Sequence, residues 1–337
     1  MSIAVVVPTI RPELFLKFLD AWKPLFEKHE VTLYVLEDHA EKSFTIPKQS
    51  FTVVHYCWKD IDDALGDKAW IIPRQTCAIK SFGYYAAYKA GFSHVFVLDD
   101  DCMPDPYNDV LEEHMDVLTE QYFIEQWFDV GQFISSPNRV ERMHRLTRGF
   151  PYQYRQKLSE ALWSVGGWDN VPDFDGMTQA SLDPVKDYEF AGTPQAVPKG
   201  FGCTYCGMNM VLDTRLTPAF YYQLNGEKYG IDRTDDIYSG YFIKRICDHL
   251  GYATVINPYA TVVHTRASNT LVNIKKEASS LATTEVLWDH VKAMKLTGTT
   301  FKDCYIEIAN QLDPKIFHTE EYGNKLKEAM RIWAELF

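Results

Sequence analysis

The chain has 337 residues, 46% hydrophobic and 24% charged, enough for one large α/β domain with additions or for two small domains. Its formal net charge of −12 argues against a general nucleic-acid-binding surface, which needs a basic face, but leaves room for a local basic pocket around a phosphate. No run of about 18 apolar residues predicts a membrane span, and seven scattered cysteines, an odd number, fit the reducing cytoplasm, with Cys203 and Cys206 read as buried thiols.

The first hundred residues alternate strand and helix. Residues 3–7 form an apolar, β-branched strand that is too short and uncharged to be a signal peptide. Proline ends its pairing, and the loop Pro8-Thr9-Ile10-Arg11 can lay backbone groups against a base or ribose. Residues 12–26 carry apolar side chains at helical spacing. Residues 31–37 are a second strand, after which Asp38 could accept a hydrogen bond from a ribose hydroxyl or a base N–H. Residues 51–57 are a third strand and residues 76–90 a helix. Arg74 and Lys80, just before and within that helix, offer cations to diphosphate oxygens, or are solvated helix charges.

The most informative stretch follows. The apolar strand Val95-Phe96-Val97-Leu98 ends in three adjacent carboxylates, Asp99, Asp100 and Asp101. Three such charges repel one another, an arrangement that a bound cation relieves. Asp99 and Asp101 alternate, so both can aim at one divalent ion that bridges a diphosphate. The plainer reading is a solvated acidic turn.

Residues 135–198 are rich in proline, including Pro137, Pro151, Pro172 and Pro184, and read as loops covering a site. Arg155 closes an aromatic loop, which suits stacking or bidentate anion contact as well as a surface salt bridge. Asp173 and Asp175 alternate in a turn that they either cap or use to bind sugar hydroxyls. Asp235 and Asp236 precede a helix predicted over residues 238–250; the helix dipole favours them there, and they could equally hold a hydroxyl or a sugar ring. Residues 253–256 and 260–264 are short strands. His264 at the end of the second is either a satisfied core histidine or a third metal ligand. From about residue 280 the chain is helical, an addition that could serve as an oligomer contact. Alternating strands and helices imply a Rossmann-type, mostly parallel sheet flanked by helices, with ligands beyond the carboxyl ends of its strands.

Together, Val7 to Arg11, Asp99 to Cys102, Arg148 to Pro151, Val171 to Asp175, Pro198-Lys199-Gly200, Cys206 to Asn209, Asp235-Asp236, Ile246 to Leu250 and His264 to Asn269 resemble the reversibly glycosylated polypeptide family, which includes plant UDP-arabinopyranose mutases. The resemblance runs over residues 3–277 in the family's order. It implies a GT-A-like nucleotide-sugar-binding domain over residues 1–277 and a C-terminal helical extension over 278–337. It further implies that Asp99 and Asp101 hold manganese or magnesium on UDP, with Asp100 and His264 as companions, and that Arg155 stands where the family is glycosylated by the donor sugar. The implied activity is the interconversion of UDP-arabinopyranose and UDP-arabinofuranose. No redox cofactor is called for, in keeping with the lack of Gly-x-Gly-x-x-Gly after the first strand.

The chain departs from the family at Ala78-Ile79-Lys80, where the family has Ala-Cys-Arg, at Gln156 to Ser159, and at Gly176-Met177. Lysine keeps the charge but loses the guanidinium fork. These changes leave two other readings open: a UDP-sugar-dependent transferase, or self-glycosylating protein, acting on an external acceptor, and a non-catalytic subunit that binds nucleotide sugar. Covalent attachment at Arg155 would need a carboxylate to take a guanidinium proton, and Asp173, Asp175, Asp235 and Asp236 are the candidates.

Overall fold

The computed structural model describes residues 2–125, 127, 147–155, 157–182, 186–266 and 269–337. Pro137, Gln156, Pro184, Ala267 and Ser268 lie outside them. In chain order the elements are β1 (Ile3–Thr9), α1 (Pro12–Lys28), β2 (Thr32–Glu37), β3 (Thr52–Tyr56), α2 (Trp58–Leu65), α3 (Lys80–Lys89), β4 (His94–Leu98), β5 (Cys102–Pro104), α4 (Val110–Leu118), β6 (Gln121–Tyr122), β7 (Ser159–Asn170), α5 (Gly176–Ser181), β8 (Gln195–Ala196), β9 (Asn209–Asp213), α6 (Asp235–Leu250), β10 (Ala253–His264), α7 (Thr270–Glu277), α8 (Leu281–Ala293), α9 (Phe301–Gln311) and α10 (Glu320–Glu335).

The sheet runs β3-β2-β1-β4-β9-β7-β10-β5, with β6 on β7 and β8 on β10. β3, β2, β1 and β4 are parallel; α1 crosses from β1 to β2 and α2 and α3 from β3 to β4, while a helix-free stretch, residues 38–51, joins β2 to β3. β9 enters antiparallel between β4 and β7, so the sheet as a whole is mixed. The carboxyl ends of β1, β2, β4, β7 and β10 still face one side. Connections there, after Thr9, Glu37 and Leu98, bring polar loops to one edge while the apolar strand bodies stay buried.

Helices cover both faces. α1 opens with Pro12, whose missing N–H costs nothing at a helix start, and buries Phe15, Phe18, Leu19, Trp22 and Phe26 on one face of the sheet. α3 lies on the other face, close enough that a Cβ on Gly83 would fall 2.5 Å from Val6. The C-terminal helices belong to that same face: Leu287, Tyr305, Leu326 and Trp333 join one apolar cluster with Val6, Ala87 and Tyr221. Trp333 Nε1 donates to the Thr217 carbonyl at 3.0 Å and Tyr322 Oη to that of Leu224 at 2.8 Å. No helix among the described residues is long and apolar enough to cross a membrane.

Three sequence expectations need correction. The stretch read as site-covering loops contains β7, a central strand with Ala161 to Gly167 buried; burial on both faces erases the alternation that marks a strand. The two short strands after residue 253 are one strand, β10, with a register shift at Asn257/Thr261 that absorbs Pro258. Asp235 and Asp236 do not precede the helix; they are the first residues of α6.

Candidate active site

Where β1, β2 and β4 end, the three acids of the triplet are each matched to a base. Asp99 pairs with Lys80, which is buried at the start of α3. Asp100, also buried, accepts from Thr9 Oγ1 at 2.7 Å and from Arg11 Nε at 3.3 Å, and Arg11 Nη2 meets its second oxygen. Asp101 Oδ2 accepts from Arg11 Nη1 and Nη2, both at 3.3 Å, with Arg266 Nη1 at 3.6 Å. Burial pushes the Asp100 carboxyl up to about 6, against the pull of Thr9 and Arg11. Asp101 is raised by burial and then by the charge of Asp99. Burial works against the Lys80 charge, but Asp99 outweighs it and the ammonium is held well above its ordinary value.

The residues fit a divalent cation in part. Among the described residues no group of three His, Cys, Asp or Glu side chains converges on one point. Asp101 and His264 nevertheless present a pair: His264 Nδ1 donates to the Val171 carbonyl at 2.7 Å, which turns Nε2 toward Asp101 Oδ1 at 3.8 Å. Two bonds of about 2.1 Å span that gap. The Asp101 carbonyl is pinned by Thr265 N and Oγ1 at 3.0 and 2.9 Å, which fixes the backbone of the pair.

Beside the triplet, Asp38 and Arg74 meet around Trp58. The indole N–H donates to Asp38 Oδ1 at 2.7 Å, Arg74 lies 6.0 Å from the indole ring, and Asp38 N donates to the Thr9 carbonyl at 3.0 Å. Burial raises the Asp38 carboxyl. Arg74 also pairs with Asp62 at 2.7 Å. Pro8 sits within β1 opposite Leu36, rather than in a loop, and shapes this corner through the backbone.

The second acidic group gathers at the start of α6. Lys80 Nζ donates to the Gly207 carbonyl at 2.8 Å, and Gly207 N donates to Asp236 Oδ2 at 2.8 Å. Asp99 and Asp236 are therefore joined through one lysine and one residue. Position 207 must be glycine, since a Cβ would fall 2.1 Å from Tyr222 Oη. Burial pushes the Asp236 carboxyl up to about 6, with Asp173 adding repulsion. Burial and then the Asp236 charge push Asp235 well above the carboxylate range; Asn225 Nδ2 donates to it at 3.1 Å. Asp173 accepts from Cys206 Sγ at 3.1 Å and pairs with Arg233 at 3.1 Å, which also holds Glu277 at 2.9 Å.

Two expected site residues are held by local contacts. Asp175 caps α5, accepting from Met177 N and Thr178 N at 3.0 Å and from Thr178 Oγ1 at 2.6 Å; of the two readings of its turn, it takes the capping one. Arg155 stacks on Tyr152 at 3.9 Å and donates to the Phe150 carbonyl at 3.2 Å. Asn170 is in register with His264, and His264 with Cys102, so the carboxyl end of β7 is level with the triplet. Arg155 precedes Ser159, the first residue of that strand. Its neighbour Tyr154 borders a cleft of about 540 Å³ with Lys199, Arg245 and Trp288.

Sequence reasoning did not single out Trp58, Arg233 or Arg266. Arg266 stood in a quoted motif, two residues after His264. Trp58 and Arg233 carry no local signal, because their partners are 20 and 60 residues away.

Comparison with known proteins places this arrangement in context. Residues 1–337 match the family model described as reversibly glycosylated polypeptide. The chain is 32% identical to UDP-arabinopyranose mutase 1 of Arabidopsis thaliana, over 98% of this chain and 90% of that one. It is 33% identical to probable UDP-arabinopyranose mutase 1 of Pisum sativum, over 98% and 89%. Among solved structures it is similar to glucosyl-3-phosphoglycerate synthase from Mycobacterium tuberculosis in complex with Mn2+, UDP-glucose and phosphoglyceric acid, at 13% identity and a TM-score of 0.44, over 88% of this chain and 81% of that one.

Proposed function

The chain belongs to the reversibly glycosylated polypeptide family, and from that premise we propose that it interconverts UDP-arabinopyranose and UDP-arabinofuranose at the carboxyl edge of its sheet. Asp38, Trp58 and Arg74 line the nucleoside end. Arg11 and Arg266 face the diphosphate. Asp101 and His264, with Asp99, would hold manganese or magnesium, which when bound supplies positive charge to the diphosphate oxygens. Residues 1–277 carry this chemistry, and the helices of 278–337 support its floor.

The observation that carries the reading is the Asp99–Lys80–Gly207–Asp236 connection, which sets a diphosphate-type acid cluster beside carboxyls of raised proton affinity. Ring contraction needs that juxtaposition. The C1–O bond to phosphate breaks, and the guanidiniums stabilise the charge on departing UDP. The 4-oxygen then bonds to C1 as its hydroxyl loses a proton, and the ring oxygen gains one as its bond to C1 breaks, with no net change. Asp236 is suited to take the second proton and return it to the ring oxygen, with Asp235 sharing the charge. UDP held in place recaptures C1 as an effectively intramolecular step.

Chromatography of products from UDP-arabinopyranose and Mn2+, with no acceptor added, tests the proposal. A mutase yields UDP-arabinofuranose. Unchanged donor, consumed only on addition of an acceptor, would instead establish a transferase.

A further inference from the structure

The triplet is neutral before anything binds. Three carboxylates, Asp99, Asp100 and Asp101, face three bases, Lys80, Arg11 and Arg266. Lys80 is buried and held by both Asp99 and Gly207, so it is fixed in place. Arg11 is different. Its backbone N–H is tied to Thr9 Oγ1 at 3.1 Å, while its side chain is 31% exposed and spans Asp100 and Asp101 at the crevice mouth.

Resting on the reading that UDP and a divalent cation share this corner, we propose that Arg11 is an internal counter-cation, which leaves Asp101 for the nucleotide diphosphate as the divalent ion takes its place. Asp101 Oδ2 is the oxygen that Arg11 and Arg266 both occupy, and Oδ1 is the one that faces His264. A divalent ion arriving alone would meet two guanidiniums and leave the corner with two uncompensated positive charges. Arriving with a diphosphate, it brings its own counter-charge, and the phosphate oxygens offer the Arg11 fork a bidentate partner as good as the one it gives up. Asp100 keeps its bond from Thr9 throughout. Metal and nucleotide binding are thereby coupled through one side chain, in both directions.

The test is a thermodynamic cycle of Mn2+ binding to the full chain, followed by electron paramagnetic resonance, with and without UDP. It compares the parent, Arg11→Gln and Arg11→Lys. We expect Arg11→Gln to bind Mn2+ alone roughly tenfold more tightly than the parent, and the factor by which UDP strengthens Mn2+ binding to fall by about the same amount. Arg11→Lys keeps the charge and stays within about threefold of the parent for Mn2+ alone. If Arg11→Gln binds Mn2+ alone no more tightly than the parent, or if the UDP factor is unchanged, the exchange is wrong while the shared site stands. If Mn2+ binds none of the three even with UDP, the shared site falls and the exchange with it.

Discussion

Lys80 reaches across from α3 to pair with Asp99 in the interior, its ammonium also donating to the Gly207 carbonyl at 2.8 Å. Replacing one partner of such a pair strands the other. Lys80→Met should therefore lower unfolding free energy by about 3 kcal/mol, the low end for a broken buried pair because Asp99 keeps some contact with water. Urea denaturation measures it. A loss below about 0.5 kcal/mol would mean that the pair is not formed in solution.

Asp236 gives a pH signature. Its carboxyl, pushed up to about 6, holds its proton more tightly in the folded protein than in the unfolded chain. The stabilisation from that proton is full below about pH 4 and is lost as pH rises through about 6. Asp236→Asn should narrow the difference in urea midpoint between pH 4.5 and pH 7.5. As the proton acceptor, Asp236 should also make kcat/KM rise with pH through about 6 in the parent, a limb that Asp236→Asn lacks.

His264 and Asp101 are predicted to act together on the cation. Chelation with EDTA should stop the reaction, and added Mn2+ should restore it. His264→Gln should weaken Mn2+ binding in the presence of UDP by about 10-fold or more, read by calorimetry. Unchanged affinity would remove His264 from the ligand set.

Asp173 and Asp175 should separate cleanly despite lying two residues apart. Asp175 caps α5, so Asp175→Ala should cost about 1 kcal/mol of stability and leave kcat and KM within about twofold. A collapse of kcat in that variant would put Asp175 in the chemistry after all.

Arg155 precedes the amino end of β7, whose carboxyl end carries the acid corner, so labelling of Arg155 by the donor sugar is predicted to pass between copies of the chain. A mixture of Arg155→Lys protein and Asp99→Asn protein would then place radiolabel from the donor on Arg155 of the Asp99→Asn chains, although neither protein labels alone. Labelling that appears in dilute parent protein at a rate independent of concentration would show transfer within one chain.

The acid triplet was legible because an unbroken apolar strand ending in three acids is a local pattern, and so were the first strands and α1. β7 was hidden because it is buried on both faces, with Gly166 and Gly167 pressed against Ala260 and Phe190 rather than marking a turn. Asn209, part of a motif quoted for the resemblance, proves structural. Its amide donates to the Gly167 and Ala260 carbonyls at 2.9 and 2.7 Å, and its oxygen meets His114, which reaches Ser164. That network braces the irregular stretch of β10, and only the fold brings its members together. Of the contacts that its aromatic loop left open for Arg155, the fold supplies stacking, on Tyr152 at 3.9 Å, with a bond to the Phe150 carbonyl.

The bonds from Trp333 to Thr217 and from Tyr322 to Leu224 also set an order of events at birth. On the ribosome, the strands that bear the acid triplet emerge long before α10. The 217–224 segment, whose Tyr222 ring lies 5.8 Å from Lys80, lacks its lasting support until α10 has been made. A nascent or prematurely terminated polypeptide should thus carry every acid of the crevice and still be unable to assemble it.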